Sequence, residues 1–68
     1  MIELHLLINL TAGPNVVKGE GPPIWINSAQ ILAVIPHDGH CKIVMARDVV
    51  YDIWEAYEGM FYIHKRYT

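Results

Sequence analysis

Two histidines, a carboxylate and a thiol lie within one short segment of this chain, His37-Asp38-Gly39-His40-Cys41. Imidazole and thiolate groups are good ligands for zinc and copper. A structural zinc site needs four ligands, however, and the other histidines, His5 and His64, lie far away in the sequence. We therefore predict a polar turn with exposed histidines, no bound metal and no cofactor. A ligand- or metal-binding regulator built on His37 and His40 stays open as an alternative.

The residues that could catalyse a reaction are few. Cys41 beside a histidine could be a nucleophile, but no third group to orient the histidine is evident. A cysteine on the apolar face of a strand is usually inert. Glu55 and Glu58 lie near the start of a predicted helix, where carboxylates stabilise the helix dipole. The glycines of residues 11–23 do not match the spacing of a phosphate-binding loop. We predict that the chain is not an enzyme.

The composition indicates one small domain with more apolar surface than it can bury. The chain has 68 residues, of which 53% are hydrophobic and 18% charged, and its net charge is -2. A domain of this size, residues 1–68, is marginally stable alone, and its single cysteine allows no internal disulfide. Exposed apolar patches usually mark interfaces, so we predict a homo-oligomer. Of the basic residues only Lys65 and Arg66 are adjacent, too few for a nucleic-acid partner.

The N-terminal segment is apolar but does not have the features of a signal peptide. Glu3 and His5 interrupt it, and no Lys or Arg precedes it. No apolar run reaches the length of a membrane span. We therefore predict a cytoplasmic protein that does not contact a membrane.

Apolar residues alternate along the N-terminus, the pattern of a half-buried strand. They are Ile2, Leu4, Leu6, Ile8 and Leu10. Residues 11–23 contain three glycines and three prolines, which predicts a long surface loop rather than a helix or a central strand. A short strand from Ile24 to Ile26 follows, and Ser28 is expected to cap one helical turn that ends at Gln30.

The strongest local signal is Asp38-Gly39, between a strand from Ile31 to Pro36 and a second apolar run. This pair favours a two-residue type I′ turn, because both of its residues take positive φ. The turn pairs His37 with His40, Ile35 with Lys42, Val34 with Ile43, Ala33 with Val44 and Leu32 with Met45. Both faces of this hairpin are then apolar and need cover. One helix covers one face, so the other needs barrel curvature, the long loop or a second copy.

A strand from Val49 to Ile53 follows. Over residues 54–67 the aromatic and apolar residues recur at steps of three and four, which predicts a helix. A sixth strand at 61–63 is the alternative. Aromatic residues fill the helical positions. We expect Trp54 and Phe61 in the core and Tyr62 and Tyr67 at the surface. These elements predict an α+β, mainly β fold. It is a small antiparallel sheet of four to five strands, curled or barrel-like, with one C-terminal helix.

The order of segments resembles a known family. The residues that carry the resemblance are Ile2-Glu3-Leu4, Ile24-Trp25-Ile26-Asn27-Ser28, Gln30-Ile31-Leu32-Ala33-Val34, Cys41-Lys42-Ile43-Val44-Met45 and Tyr51-Asp52-Ile53-Trp54-Glu55. This layout is similar to that of the FlbD-like (SwrD) small flagellar and swarming accessory proteins, and to short phage or prophage proteins. The resemblance implies an accessory, non-enzymatic role and carries over no binding site. The segment 11–23 departs from the family, which has a short turn there.

From these observations we predict a small protein-interaction module that acts as an inhibitor, adaptor or accessory factor on a protein partner of unknown identity. Its partner surface is expected in the loop 11–23, whose prolines lower the ordering cost of binding, and on nearby or C-terminal aromatics. The residues are Val16, Val17, Lys18, Trp25, Tyr62 and Tyr67. The alternative is a purely structural protein whose function is its homo-oligomeric assembly.

Overall fold

The computed structural model describes residues 1–66, apart from the side chain of Arg47. Its elements are the strands β1 (Ile2–Ala12), β2 (Asn15–Ile26), β3 (Ile31–His37), β4 (His40–Met45) and β5 (Val49–Ile53), and the helix α1 (Tyr57–Lys65). The strands form one antiparallel sheet in the order β2-β1-β5-β4-β3, and this sheet is not closed. The predicted mainly β fold with one C-terminal helix is confirmed, and the residues 61–63 are helical rather than a sixth strand.

The core lies between one face of the sheet and α1. Its buried apolar residues are Leu4, Ile26, Ile31, Cys41, Ile43, Ile53 and Met60. The prediction for Phe61 is wrong: this ring is 40% exposed, whereas the neighbouring Met60 is 1% exposed. The helix begins at Tyr57, and neighbouring helical residues lie on different faces. Trp54 precedes the helix and is only half-buried.

The prediction of a long surface loop at residues 11–23 is wrong. β1 continues to Ala12 and β2 starts at Asn15, so only Gly13 and Pro14 form the turn between them. Gly13 has a φ of +63°, which matches the first position of a two-residue II′ turn. β2 is an edge strand, where proline is tolerated because an outward N–H needs no partner. The prolines and glycines therefore mark a hairpin, not a loop.

A β-bulge lies in the middle of this hairpin. The register passes from His5 opposite Pro23 to Leu7 opposite Glu20. Gly21 sits in the bulge, and a Cβ built there would lie 2.6 Å from the backbone oxygen of Leu6. The two backbones approach too closely for a side chain, so this position requires glycine.

We expect Gly21→Ala to destabilise the protein by about 1–3 kcal/mol, because the backbone must shift to admit the methyl group. Gly59→Ala is the matched control. The Cβ of residue 59 meets nothing within 4 Å, and alanine in a helix is favoured over glycine by up to about 1 kcal/mol. Urea unfolding curves measure both changes. Equal midpoints for Gly21→Ala and the wild type would contradict the close approach.

Beyond the bulge, β1 and β2 leave the rest of the sheet. β5 pairs with β1 only at Leu6, opposite Ile53, and the N–H of Trp54 donates to the carbonyl of His5 at 2.8 Å. In the described part of the chain, residues 7–12 of β1 pair only with β2. Residues 7–20 thus form a two-stranded ribbon, and the molecule is elongated, measuring 42 × 20 × 19 Å.

The β3–β4 hairpin follows the predicted turn but not the whole predicted register. Asp38 and Gly39 have φ values of 50° and 80°, which fits the type I′ turn. The pairs from His37–His40 to Ala33–Val44 are as predicted, but Met45 pairs with Ile31 rather than Leu32. The irregularity turns Leu32 outward, where it is 62% exposed, and buries Ile31.

The second face of the β3–β4–β5 meander remains apolar and has no helix on it. Ile35 on β3 is 45% exposed and Val50 on β5 is 51% exposed, while Val44 of β4 pairs with both Ala33 and Val50. Lys42 and Asp52 form an ion pair of 3.8 Å on the same face. Barrel curvature and the segment 11–23 do not cover this face, because the sheet is open and that segment is part of the ribbon.

Candidate functional site

An open groove lies where several strand ends meet. It brings together residues at or next to the start of β1, the end of β2, the start of β3, the end of β4 and the start of β5. The groove has a volume of about 500 Å³. It is lined by Met1, Trp25, Ile26, Asn27, Ala29, Gln30, Leu32, Met45, Ala46, Val49 and Tyr51.

Local structure determines which side chains border the groove. A 3₁₀ turn over Ser28–Gln30 follows β2, and the side chain of Asn27 accepts a hydrogen bond from the N–H of Ala29 at 3.1 Å. The cap is therefore Asn27, whereas Ser28, the predicted cap, is buried. The irregularity in β3 then exposes Leu32 beside this turn.

The groove combines exposed apolar side chains with a few uncharged polar groups. Trp25 is 63% exposed and Leu32 62% exposed, and Val49 beside them is 41% exposed. Asn27 and Gln30 supply amide groups, and the described side chains of the lining carry no charge. An exposed tryptophan beside aliphatic residues and a few polar groups is typical of interaction hot spots. The arrangement can hold an apolar side chain of a partner, with amides to orient its backbone.

The structure does not bring the predicted partner-binding residues into one surface. Val16, Val17 and Lys18 lie near the tip of the ribbon, and Trp25 lies in the groove. At about 3.3 Å per residue, Val17 and Trp25 are roughly 25 Å apart along β2. Tyr62 lies on α1, is 61% exposed as predicted and contacts Phe61 edge-on. Tyr67 lies outside the described residues.

The ribbon carries its own apolar surface. Leu10 and Val17 are directly opposite each other and are each about half exposed, at 50% and 51%. Val16 is 65% exposed, on the other face from Val17. Lys18 is half-buried and lies opposite Asn9.

A second polar feature, a clasp between His5 and Glu55, joins residues fifty positions apart. The backbone N–H of His5 donates to Oε1 of Glu55 and the ring Nδ1 donates to Oε2, both at 2.8 Å. The thiol of Cys41 donates to the backbone oxygen of Glu55 at 3.6 Å. The expected role of Glu55 at the helix start is therefore wrong, because the helix begins two residues later, at Tyr57. No local sequence signal marks this contact.

The two partners shift each other's pKa. The hydrogen bond that His5 donates to Glu55 is the main cause that raises the pKa of His5, with the charges of Glu20 and Glu3 adding to it. Burial raises the pKa of Glu55, but the hydrogen bonds from His5 more than offset this and hold the pKa below its ordinary value. Both shifts favour the ionised pair.

These shifts predict how stability depends on pH. The His5 contribution is fully present below its unfolded pKa of about 6.5 and is lost as the pH rises through the raised folded value. The Glu55 contribution is present above its unfolded pKa of about 4.3 and is lost as the pH falls through the lowered folded value. We expect His5→Gln to destabilise the protein more at pH 5.5 than at pH 8.5, as measured by urea unfolding. An equal loss at both pH values would show that the clasp does not depend on the imidazolium.

The hairpin histidines are not equivalent. His37 is exposed, and its Nε2 lies 3.5 Å from Oδ2 of Asp38. His40, predicted to be exposed, instead stacks on Trp54 with ring centroids 4.7 Å apart, and its Nδ1 donates to the carbonyl of Trp54. Because this nitrogen already forms a hydrogen bond within the protein, it is not available as a metal ligand. Among the side chains that the structure describes, no three His, Cys, Asp or Glu are placed to hold a metal ion.

We predict that purified protein contains less than one equivalent of zinc, copper or nickel by elemental analysis. His37→Ala should change the free energy of unfolding by less than about 0.5 kcal/mol, as for an exposed residue. His40→Ala should cost about 1–2 kcal/mol, because it removes a stacked ring and a hydrogen bond. Stoichiometric metal that both substitutions remove would favour the metal-binding regulator.

Cys41 is buried, at 2% exposure. Burial is the main cause that raises the pKa of its thiol to about 11, and the nearby Glu55 raises it further. The thiolate is the reactive form of cysteine, so this side chain stays protonated and unreactive at neutral pH. The predicted role of Cys41 as a core residue is confirmed.

The described part of the chain has no helix with the length and apolar character needed to cross a membrane. No family model matches the chain, and no curated protein and no solved structure is significantly similar to it.

Proposed function

We propose that this chain is a non-enzymatic interaction module that self-associates and binds a partner protein through the groove beside Trp25. The distribution of its apolar side chains supports this proposal. In the described part of the chain, eleven large hydrophobic residues are exposed and only seven hydrophobic residues are buried. Monomeric proteins rarely expose large contiguous apolar patches, so this surplus favours interfaces.

The groove supports binding of a protein rather than of a charged small molecule. Its described side chains offer an indole, aliphatic groups and two amides, but no acid or base. Partner side chains of leucine, methionine or phenylalanine type suit such a surface. In this proposal the chain is a cytoplasmic accessory factor, either an inhibitor or an adaptor, as in the small flagellar or phage proteins that it resembles.

The states of the ionisable groups support a role without catalysis. The thiol of Cys41 is buried and protonated, and it faces the backbone of Glu55 rather than an imidazole. The backbone N–H and Nδ1 of His5 and both carboxylate oxygens of Glu55 are used in the hydrogen bonds between these two residues. His40 is held by Trp54. None of these groups is left to act on a substrate in a cavity.

The experiment is affinity capture with tagged protein, followed by mass spectrometry, with two single variants compared with the wild type. We expect Trp25→Ala to lose the captured partner, because truncating a hot-spot tryptophan costs about 2 kcal/mol or more. Phe61→Ala, which removes an exposed aromatic outside the groove, should retain it. A partner held equally by both variants would show that the groove is not the binding site.

The second candidate is a purely structural homo-oligomer, which the exposed ribbon favours. The two proposals differ in whether the purified protein captures a foreign protein. A purified assembly that forms its full oligomer and captures no foreign protein from its native host would support the structural role.

A further inference from the structure

The ribbon leaves one strand edge of β1 open. In a hairpin with a two-residue turn, the pair that flanks the turn exchanges both backbone hydrogen bonds, and the pairs then alternate. Ala12–Asn15 flanks the turn, so every second residue of β1 directs its N–H and C=O away from β2. These residues are Leu7, Asn9 and Thr11. Beyond Leu6, no strand of the described chain pairs with this edge.

The outer edges of β2 and β3 are protected against pairing. The outward positions of β2 include the charged Lys18 and Glu20, and prolines at 22 and 23 follow them. On β3, the same alternation directs Pro36 outward, and proline offers no N–H. Charges and prolines are the usual devices that block edge pairing. Residues 7–12 of β1 have neither.

We infer that two copies of this chain pair antiparallel through the open edge of β1, about a two-fold axis at Asn9. The inference rests on the self-association in the proposed function and identifies its interface. In this register Asn9 faces the Asn9 of the second copy, and Leu7 faces Thr11. All the outward N–H and C=O groups of these three residues are then paired. The dimer contains a continuous four-stranded sheet made of both ribbons.

The same register unites the apolar faces of the two ribbons. Ile8 of each copy lies opposite Leu10 of the other, in a position where side chains approach closely because the backbones share no hydrogen bond. Leu10 and Val17 are each about half exposed in one copy. An isolated two-stranded ribbon is only marginally stable in water, and pairing gives it further strands.

A second copy is the occupant that this edge fits best, because an antiparallel strand pair about a two-fold axis is self-complementary. The contact between two short strands buries less than the roughly 800 Å² per copy of a standard interface. We therefore expect a reversible dimer with a dissociation constant in the micromolar range.

The test compares two identical substitutions on the same ribbon. Asn9→Lys places two ammonium groups directly across the axis, and facing like charges destabilise a strand pair. Asn15→Lys places the same charge on the outer strand, away from the axis. Analytical ultracentrifugation should show a dimer for the wild type and Asn15→Lys, and at least about a tenfold weaker dimer for Asn9→Lys. Circular dichroism checks that each variant is folded.

A cross-link tests the register itself. Facing residues of a hydrogen-bonded pair have Cα atoms about 5.5 Å apart, which lies within the range that a disulfide spans. Under mild oxidation Asn9→Cys should form a covalent dimer, and Asn15→Cys should not. The native Cys41 is buried and does not compete.

The outcomes separate the two proposals. A wild type that is monomeric at every concentration overturns both this dimer and the self-association in the proposed function. A wild-type dimer that persists in Asn9→Lys, with no cross-link in Asn9→Cys, overturns only the β1 interface. A weakened dimer in Asn9→Lys together with a covalent dimer in Asn9→Cys supports the inference.

Discussion

Replacing residues 9–18 with an Asn-Gly turn is expected to abolish self-association and leave a folded monomer. The shortened hairpin would be closed by Ile8 and Gly19, a pair that suits a two-residue turn. All the buried apolar residues lie outside the deleted segment, so the free energy of unfolding should change by less than about 1 kcal/mol. Light scattering reports the mass, and urea unfolding reports the stability.

The matched control for this deletion replaces only Gly13-Pro14 with Asn-Gly. It changes the turn and keeps both strands of the ribbon, so it should retain the oligomeric state of the wild type. If the shortened protein keeps that state, the ribbon is not the self-association surface. The outer face of the meander, with Ile35 and Val50, would then be the next candidate.

Ile43→Ala is expected to have the largest effect on stability. The side chain of Ile43 is completely buried, at 0% exposure, in the middle of β4. Truncation of a buried isoleucine typically costs 2–5 kcal/mol, so about that loss is expected here. At about 0.05–0.15 kcal/mol per residue, a domain of this length has a total stability of roughly 3–10 kcal/mol. The variant should therefore be largely unfolded or melt at a much lower temperature.

Ile35→Ala is the control for this substitution. It makes the same chemical change on the neighbouring strand, where Ile35 is 45% exposed and pairs with Lys42. The loss there should be below about 1 kcal/mol, because little buried volume is removed. Thermal unfolding followed by circular dichroism compares the two variants. Similar losses in both would mean that the core does not centre on Ile43.

The sequence by itself determined the parts of the fold that depend on local rules. Alternation from Ile2 to Leu10 predicted the first strand, Asp38-Gly39 predicted the tight turn, and the change of period predicted the helix. Each of these signals acts over a few residues, through φ preferences or through the side of an element that is apolar. The strand Val49–Ile53 was predicted at its correct limits.

Only the tertiary structure decided how the segment 11–23 folds. Its glycines and prolines are unfavourable in a central strand, and the sequence does not state that this strand lies at an edge. The edge position tolerates the prolines, and the bulge uses Gly21 for close contact with Leu6. The irregularity in β3 that exposes Leu32 and buries Ile31 likewise departs from the register that the turn alone predicted.

The candidate sites also depend on contacts between distant residues. Trp25 was predicted as a binding residue from its type, but the groove around it exists because several strand ends meet there. His5 and Glu55 form their clasp across fifty positions of sequence. Chain topology, rather than any local pattern, sets these distances. Composition predicted an excess of apolar surface, and the fold decided that it lies in the groove, on the ribbon and on the outer face of the meander.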